Sequence, residues 1–272
     1  MVQLALAQID CELGDVGVNI GRVRETLAAA AGADLVVFPE LALTGYQIGR
    51  VADDVAVPAG GPEIAGLGGA DDAFVVGFAE AGTVHTYNAA AYVDGGAVRH
   101  VHRKLYLPTY DVWEERKHFT PGAELRAFDT RFGRMAILLC ADAWQPALAS
   151  LAIQDGARVL LVPANSATRR DDIDDTWHDI TRFYARTLQC YVVFVNRVGE
   201  EPGLRFWGGS HVYAPGGALV AEAPRDEPAL VSVDIDLGEV RRVRREMPLV
   251  KEARLALLGR ELARLADQGG DL

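Results

Sequence analysis

Three residues of types suited to nucleophilic acyl transfer each stand at the end of a run that reads as a strand. Glu40 follows Leu35-Val36-Val37-Phe38 and Pro39, Lys104 ends the run Ala97–Arg103, and Cys140 ends the run Met135–Leu139. A thiol attacks as its thiolate, so it needs a base to take its proton and a cation to favour the charge. A carboxylate and an ammonium supply both. Taken singly, each residue has a plain structural role. A cysteine after a buried strand is usually packing, a glutamate after proline usually belongs to a loop, and a strand-end lysine is usually solvated. Their shared position at the rim of buried strands is what raises them together, because α/β sheets build ligand sites there.

Strands must carry these residues to one rim. Gln3–Ile9, Leu35–Phe38, Ala73–Phe78, Met135–Leu139, Val159–Val162 and Tyr191–Val195 are short, nearly continuous apolar runs, as buried strands require. Asn88–Val93 and Ala97–Val101 predict a hairpin turned on Asp94-Gly95-Gly96, and two further strands are expected around Gly216-Gly217. Asp15 caps a helix striped by Val16, Ile20, Val23 and Leu27 and stopped at Gly32. Leu148–Gln154 reads as a second helix. Trp177, Ile180, Tyr184 and Leu188 stripe a third behind the caps Asp171 and Asp172, and Leu255, Leu258, Leu262 and Leu265 lie on one face of a C-terminal helix at about 249–267. Helices flank strand pairs rather than separating every strand, which predicts a mixed sheet covered by helices or by a second sheet. Pro58–Gly69 is read as a surface loop, no internal repeat is apparent, and one domain over 1–272 is expected.

Composition narrows the chemistry. With 27 basic and 38 acidic side chains among 272 residues, the net charge is −11. Such a chain repels phosphate backbones, so no nucleic-acid partner is expected, and the acidity also disfavours a highly anionic substrate. Arg241–Arg245 reads as a solvated helix face. No apolar run of about 18 residues is present to span a membrane. The N-terminal stretch has no basic n-region and no small-residue cleavage site, so no signal peptide is expected. Cys11, Cys140 and Cys190 form no C-x-x-C pair. Neither a disulfide framework nor a metal or other cofactor is expected, and a reducing cytoplasm suits three unpaired thiols. Cys11 and Cys190 have no acid or base around them and read as packing residues.

The words around the three residues are more specific. Phe38-Pro39-Glu40-Leu41-Ala42-Leu43-Thr44-Gly45-Tyr46, Arg103-Lys104-Leu105-Tyr106-Leu107-Pro108 and Cys140-Ala141-Asp142-Ala143-Trp144-Gln145-Pro146 resemble the nitrilase superfamily of carbon–nitrogen hydrolases. The resemblance runs to about Pro224 through Gly156–Ala164, Tyr191–Gly199 and Phe206–Ser210. It implies an α/β fold, a four-layer αββα sandwich with mixed sheets, paired into a homodimer or higher homo-oligomer. It makes Glu40 the general base, Lys104 the cationic stabiliser and Cys140 the nucleophile. A second glutamate is implied in Glu114-Glu115-Arg116-Lys117-His118-Phe119. We place its role on Glu115, with Glu114 the competing position; His118 stands where an aromatic is more usual.

That mechanism passes through a thioester, with the oxyanion received by Lys104 and the backbone N–H of Ala141. Tyr46, Tyr110, Trp144 and Asn165 are the expected substrate-binding residues. Trp113 and Trp144 flank reactive residues and suit either a pocket wall or the core. Asp142 is expected to hold the turn after the nucleophile, and Gly208-Gly209-Ser210 to allow close packing. Lys104–Glu115 and Cys140–Trp144 are similar to glutaminase-type branches that feed ammonia to NAD synthetase. The 272 residues contain no P-loop, so a free-standing amidase acting on a small linear amide is the simpler expectation. Nitriles, carbamoyl amines and glutamine stay open as substrates, and a non-catalytic interaction protein keeping the fold is the alternative of another class. The stretch from Tyr46 to Ala73 is short, which predicts an abbreviated helix near the entrance and a wider mouth or a partner surface. The C-terminal helix is expected to pack on the domain or a partner subunit.

Overall fold

Alternate residues of each buried strand face two different apolar layers, which is why these strands read as continuous hydrophobic runs. Leu35 and Val37 enter one cluster while Val36 and Phe38 enter another. Likewise Val159 and Leu161 point one way and Leu160 and Val162 the other. The computed structural model describes residues 1–167 and 172–269. Its first half runs β1 (Val2–Gln8), α1 (Val16–Ala29), β2 (Leu35–Val37), α2 (Ala52–Val55), α3 (Pro62–Ala65), β3 (Ala73–Ala81), β4 (Thr86–Asp94) and β5 (Ala97–Arg103). Then follow β6 (Phe128–Thr130), β7 (Gly133–Ile137), α4 (Pro146–Gln154), β8 (Val159–Ala164), α5 (Ile173–Thr187) and β9 (Tyr191–Asn196). The chain continues through β10 (Val198–Glu201), β11 (Leu204–Trp207), β12 (His211–Tyr213), β13 (Leu219–Glu222), β14 (Ala229–Ile235), α6 (Leu237–Glu246) and α7 (Leu255–Asp267).

Two six-stranded mixed sheets result, ordered β14-β1-β2-β3-β4-β5 and β13-β12-β9-β8-β7-β6. Their inner faces meet in one core, with Leu4, Leu6, Val37 and Val75 against Ile137, Leu161 and Val193. α1 and α3 cover the outer face of the first sheet through Val23, Leu27 and Ile64. α4 and α5 cover the second through Leu148, Ala149, Trp177 and Tyr184. The layers are therefore αββα. The directions of the strands repeat as well: each sheet has two parallel pairs at its centre, formed by β1-β2-β3 and β7-β8-β9. β14 and β6 pair antiparallel with β1 and β7, and β4 and β12 pair antiparallel with β3 and β9. This duplication of topology leaves no repeat in the residues themselves.

Local expectations mostly hold. The Asp15 side chain accepts the Val18 N–H at 3.0 Å, capping α1. α4 starts at Pro146, two residues before the expected start, because proline suits the first turn of a helix. Asp172 precedes α5 without a side-chain cap bond, and Asp171 lies outside the described residues. Within the expected loop Pro58–Gly69, Pro62–Ala65 forms a helical turn that buries Ile64. The stretch from Tyr46 to Ala73 holds a 3-10 turn and the four-residue helices α2 and α3, in keeping with its shortness.

Candidate active site

Each reactive side chain is delivered by a backbone feature at a strand end. Glu40 sits in the turn after β2, which lies directly on β3. A Cβ on Gly77 would fall 2.4 Å from Leu41 N and 2.5 Å from the Pro39 carbonyl oxygen, so only glycine permits that approach. Lys104 continues the line of β5, its N–H donating to the Asn88 carbonyl at 2.8 Å while its carbonyl accepts the Gly122 N–H at 2.8 Å. Cys140 opens a 3-10 turn after β7 with φ of 42°. Glu115 opens another, its N–H donating to the Pro108 carbonyl at 3.1 Å.

These four residues form one cluster. Lys104 Nζ donates to Glu40 Oε1 at 2.6 Å and to Glu115 Oε1 at 2.7 Å, and all three side chains are buried. Removing three charges from water is expensive unless hydrogen bonds satisfy them. Here Asn88 Nδ2 donates to Glu40 Oε1 at 2.7 Å and the Asn165 N–H to Glu40 Oε2 at 2.9 Å. The Tyr46 hydroxyl donates to Glu115 Oε1 at 2.7 Å, and Glu115 Oε2 has no partner among the described residues. Burial alone would discharge Lys104, but Glu115 and Glu40 outweigh it and the ammonium is held more firmly than usual. Burial pushes the Glu115 carboxyl up to about 7, with Lys104 opposing and Glu40 adding to the rise. Burial and the charge of Glu40 raise the Cys140 thiol well above its ordinary range, partly offset by Lys104. Glu114 points away, exposed and paired with Lys117.

A second network ties the Cys140 turn to the Lys104 strand end. Asp142 is fully buried; its Oδ1 accepts the Leu105 and Tyr106 N–H groups at 3.0 and 2.9 Å, and its Oδ2 the Leu139 N–H at 3.2 Å. His102 Nε2 lies 2.9 Å from the same Oδ2. The expected turn-holding role of Asp142 is thus present, and His102 is a partner that sequence reasoning missed. Its signal was its place two residues before Lys104, on the same face of the strand.

A cavity of about 420 Å³ opens above the cluster. Cys140, Ala141, Glu115, Asn165 and Ser166 supply its reactive and polar lining, and Tyr46, Tyr110, Trp113, Trp144 and Trp177 its aromatic walls. All four expected substrate-binding residues therefore reach it, as does Ala141, with Tyr110 at the exposed mouth. Trp113 packs edge-on to Tyr46 and Trp144 edge-on to Trp177. Asn165 is buried, yet neither its side-chain nitrogen nor its oxygen has a partner among the described residues. Ser166 Oγ accepts the indole N–H groups of Trp177 at 2.8 Å and Trp207 at 3.2 Å. Ser166, Trp177 and Pro108 are lining residues the sequence had not marked. Glu40 and Lys104 lie beneath the lining. Cys11 and Cys190 are not among the lining residues; both are buried, and burial pushes their thiols up to about 11 and about 12, but Cys11, against expectation, has Arg197, Asp10 and Glu201 around it.

A model of the family described as carbon-nitrogen hydrolase matches residues 3–245. An (R)-stereoselective amidase of Pseudomonas sp. is 33% identical over 267 residues, covering 96% of this chain and 94% of that protein. A glutamine-dependent NAD(+) synthetase of Thermotoga maritima is 30% identical over 261 residues, covering 89% of this chain and 43% of that protein. Among solved structures, an amidase from Nesterenkonia sp. superposes with a TM-score of 0.79 at 25% identity, covering 96% of each chain.

Proposed function

The chain belongs to the carbon–nitrogen hydrolase family, and on that footing we propose that it is an amidase cleaving a small linear amide to a carboxylate and ammonia or an amine. The observation that carries this reading is the buried Lys104 between Glu40 and Glu115, at 2.6 and 2.7 Å, beneath a cavity with Cys140 in its lining.

Burial and the charge of Glu40 hold the Cys140 thiol toward its neutral form, so attack needs a base for the Sγ proton. Glu40 takes the Sγ proton as sulfur bonds to the amide carbon. The carbonyl oxygen becomes an oxyanion facing Lys104 and the Ala141 N–H; one such donor is worth about 2.7–4 kcal/mol of barrier. Glu40 returns the proton to the departing nitrogen, leaving a thioester on Cys140. Water, deprotonated by Glu40, then attacks the thioester carbon and releases the acid and the thiol. Glu115, with Tyr46, holds Lys104 in place through both steps. Asn165 offers its unpaired amide to a polar group of the substrate, and the aromatic walls suit an apolar remainder.

Ammonia release from a panel of amides, carbamoyl amines, glutamine and nitriles tests the reading, with Cys140→Ala as control. Turnover of at least one amide, its abolition by Cys140→Ala, and an acyl mass on Cys140 with a slow substrate are the expected results. Inertness to the whole panel, or an adduct on another residue, sinks it. Glutamine is the second reading, favoured by the likeness to the NAD(+) synthetase, of whose length this chain covers 43%. A homodimer or higher homo-oligomer is part of the proposal: α7 buries none of its residues in this chain and leaves Leu255, Leu258, Leu262 and Leu265 between 47% and 66% exposed. No described helix is long and apolar enough to cross a membrane. Three unpaired cysteines favour a cytoplasmic location.

A further inference from the structure

The hairpin β10–β11 is a two-stranded sheet apart from the two main ones, yet its turn-side residue reaches the turn that carries Tyr46. Glu201, at the end of β10, is buried. Its Oε1 accepts the Tyr46 N–H at 2.8 Å and its Oε2 the Gln47 N–H at 2.7 Å. Arg197, fully buried, pairs with Glu201 Oε1. The guanidinium also donates to Asp10 Oδ1 and the Cys11 carbonyl, both at 3.1 Å, and lies 4.3 Å over the Phe206 ring. The contact is close enough to dictate a neighbour: a Cβ on Gly45, already at φ of 73°, would stand 2.8 Å from Glu201 Oε1.

A buried ion pair is weak ground for stability, because desolvation offsets its attraction. What distinguishes this one is where the carboxylate is spent, on two successive amides of the turn that carries Tyr46. We propose that Glu201, held by Arg197, is a positioning residue: it fixes the backbone at Tyr46 so that the Tyr46 hydroxyl donates to Glu115, and Glu115 in turn holds Lys104. This rests on the amidase reading of the Glu40, Lys104 and Cys140 cluster. The relay spans two parts of the fold, since Tyr46 follows β2 while Glu201 comes from the far side of β9. The ring of Tyr46 is packed edge-on by Trp113 at 5.2 Å and Phe206 at 6.4 Å, so a backbone shift carries the hydroxyl with it.

The groups facing Glu115 are Lys104, Glu40 and the Tyr46 hydroxyl, with Cys140 and Tyr110 close enough to be felt. The Tyr46 bond favours the ionised carboxylate. Losing it moves Glu115 titration to higher pH, and a protonated Glu115 no longer pairs with Lys104. The acid limb of the rate profile should therefore move up.

The test uses the full chain and an amide that the panel shows to be turned over. Glu201→Asp keeps a negative charge facing Arg197 but is one methylene shorter than the two amides require. Its kcat should fall several-fold with KM little changed, and the acid limb of kcat/KM should move to higher pH. Tyr46→Phe should move the limb in the same direction, and the double variant should move it no further than Tyr46→Phe alone. Glu201→Gln, which keeps the length, serves as the second variant and should repeat the direction. A Glu201→Asp profile that superposes on that of the unsubstituted chain overturns the inference, as do shifts that add in the double variant. So does failure of both Glu201 variants to fold while Tyr46→Phe folds, since that marks a requirement of the fold alone. Turnover by the unsubstituted chain separates the two claims: inertness to the whole panel, or turnover that survives Cys140→Ala, overturns the amidase reading itself.

Discussion

Cys140 adopts a left-handed backbone conformation, φ 42°, which a residue with a Cβ rarely takes. Such strain persists where surroundings over-determine it. The surroundings here are the Leu139 and Leu105 amides pinned by Asp142 and the cavity floor beside Asn165. Glu115 is the residue whose charge is most finely balanced, with its carboxyl pushed up to about 7 by burial against the pull of Lys104. Activity that needs the Glu115–Lys104 pair should fall as pH drops through about 7, because Glu115 is then protonated and the pair is lost. Replacing Glu115 by Gln removes the titration and one of the two charges on Lys104. The expected result is a fall in kcat/KM on the order of 10²-fold, by analogy with losing an oriented electrostatic contact, and loss of that limb in a pH–rate profile. A Glu115→Gln profile that keeps the limb near 7 would show the group to be something else. The choice of Glu115 over Glu114 came from the motif alone; burial of one and exposure of the other supplies the physical reason. Asn88, which bonds Glu40, was invisible in sequence because an asparagine inside an apolar strand has no pattern that names its partner.

Asp142 is where one element is fastened to another. By accepting amides from both the Cys140 turn and the chain just past β5, it sets the distance between nucleophile and lysine. Asn in its place keeps one acceptor oxygen but turns an NH2 toward the Leu139 N–H, setting donor against donor. A buried donor left unsatisfied costs about 1–3 kcal/mol, so Asp142→Asn should lower the melting temperature and slow turnover with KM little changed. An unchanged melting temperature would place the Asp142 bonds outside the stability of the turn. Strands and helices that bury a face were legible in the sequence, since burial writes the alternation. The hairpin β10–β11 was not read as such, although it has a signal. Pro202-Gly203 separates Val198–Glu201 from Leu204–Trp207 as a two-residue loop, with Glu201 opposite Leu204 and Gly203 at φ of 76°. β14, an edge strand, was also passed over although Val231-Ser232-Val233-Asp234-Ile235 alternates apolar and polar residues, the signal of a half-buried strand.

At the scale of the molecule, the four layers follow from strands that are apolar on both faces, whereas the pairing of equivalent strand ends does not. Glu40 after β2 and Asn165 after β8 occupy matching places in the two sheets and meet at 2.9 Å, a relation created by topology with no trace in the residues. The leucine face of α7 is legible in the sequence but its cover is not, because a partner leaves the same pattern as a core. If a second copy covers it, Leu258→Glu with Leu262→Glu should yield a smaller species in sedimentation, and an unchanged mass refutes that interface. Acid stability belongs to this scale too: His211 and His100 lower it as pH falls, while the raised Glu115 carboxyl opposes them. The His211 ring is fully buried, with Nδ1 at 2.9 Å from the Gly209 carbonyl and Nε2 at 2.8 Å from Thr181 Oγ1, and it stacks on His178 at 4.1 Å. A carbonyl only accepts, so Nδ1 carries the proton and Nε2 is left to accept. Burial, with His178 beside it, lowers the His211 pKa from 6.5 to about 3. Between those values the unfolded chain binds a proton that the folded chain refuses at His211, so this contribution to stability rises with pH across the window. It is fully present above about 6.5 and is lost as pH falls toward about 3, an effect on the order of a few kcal/mol. Urea unfolding at pH 7, 5 and 4 should show the unsubstituted chain losing more stability on acidification than His211→Gln, which cannot be protonated. An equal decline in that variant would assign acid lability to other groups, His100 first among them, since burial and His102 lower its pKa to about 4.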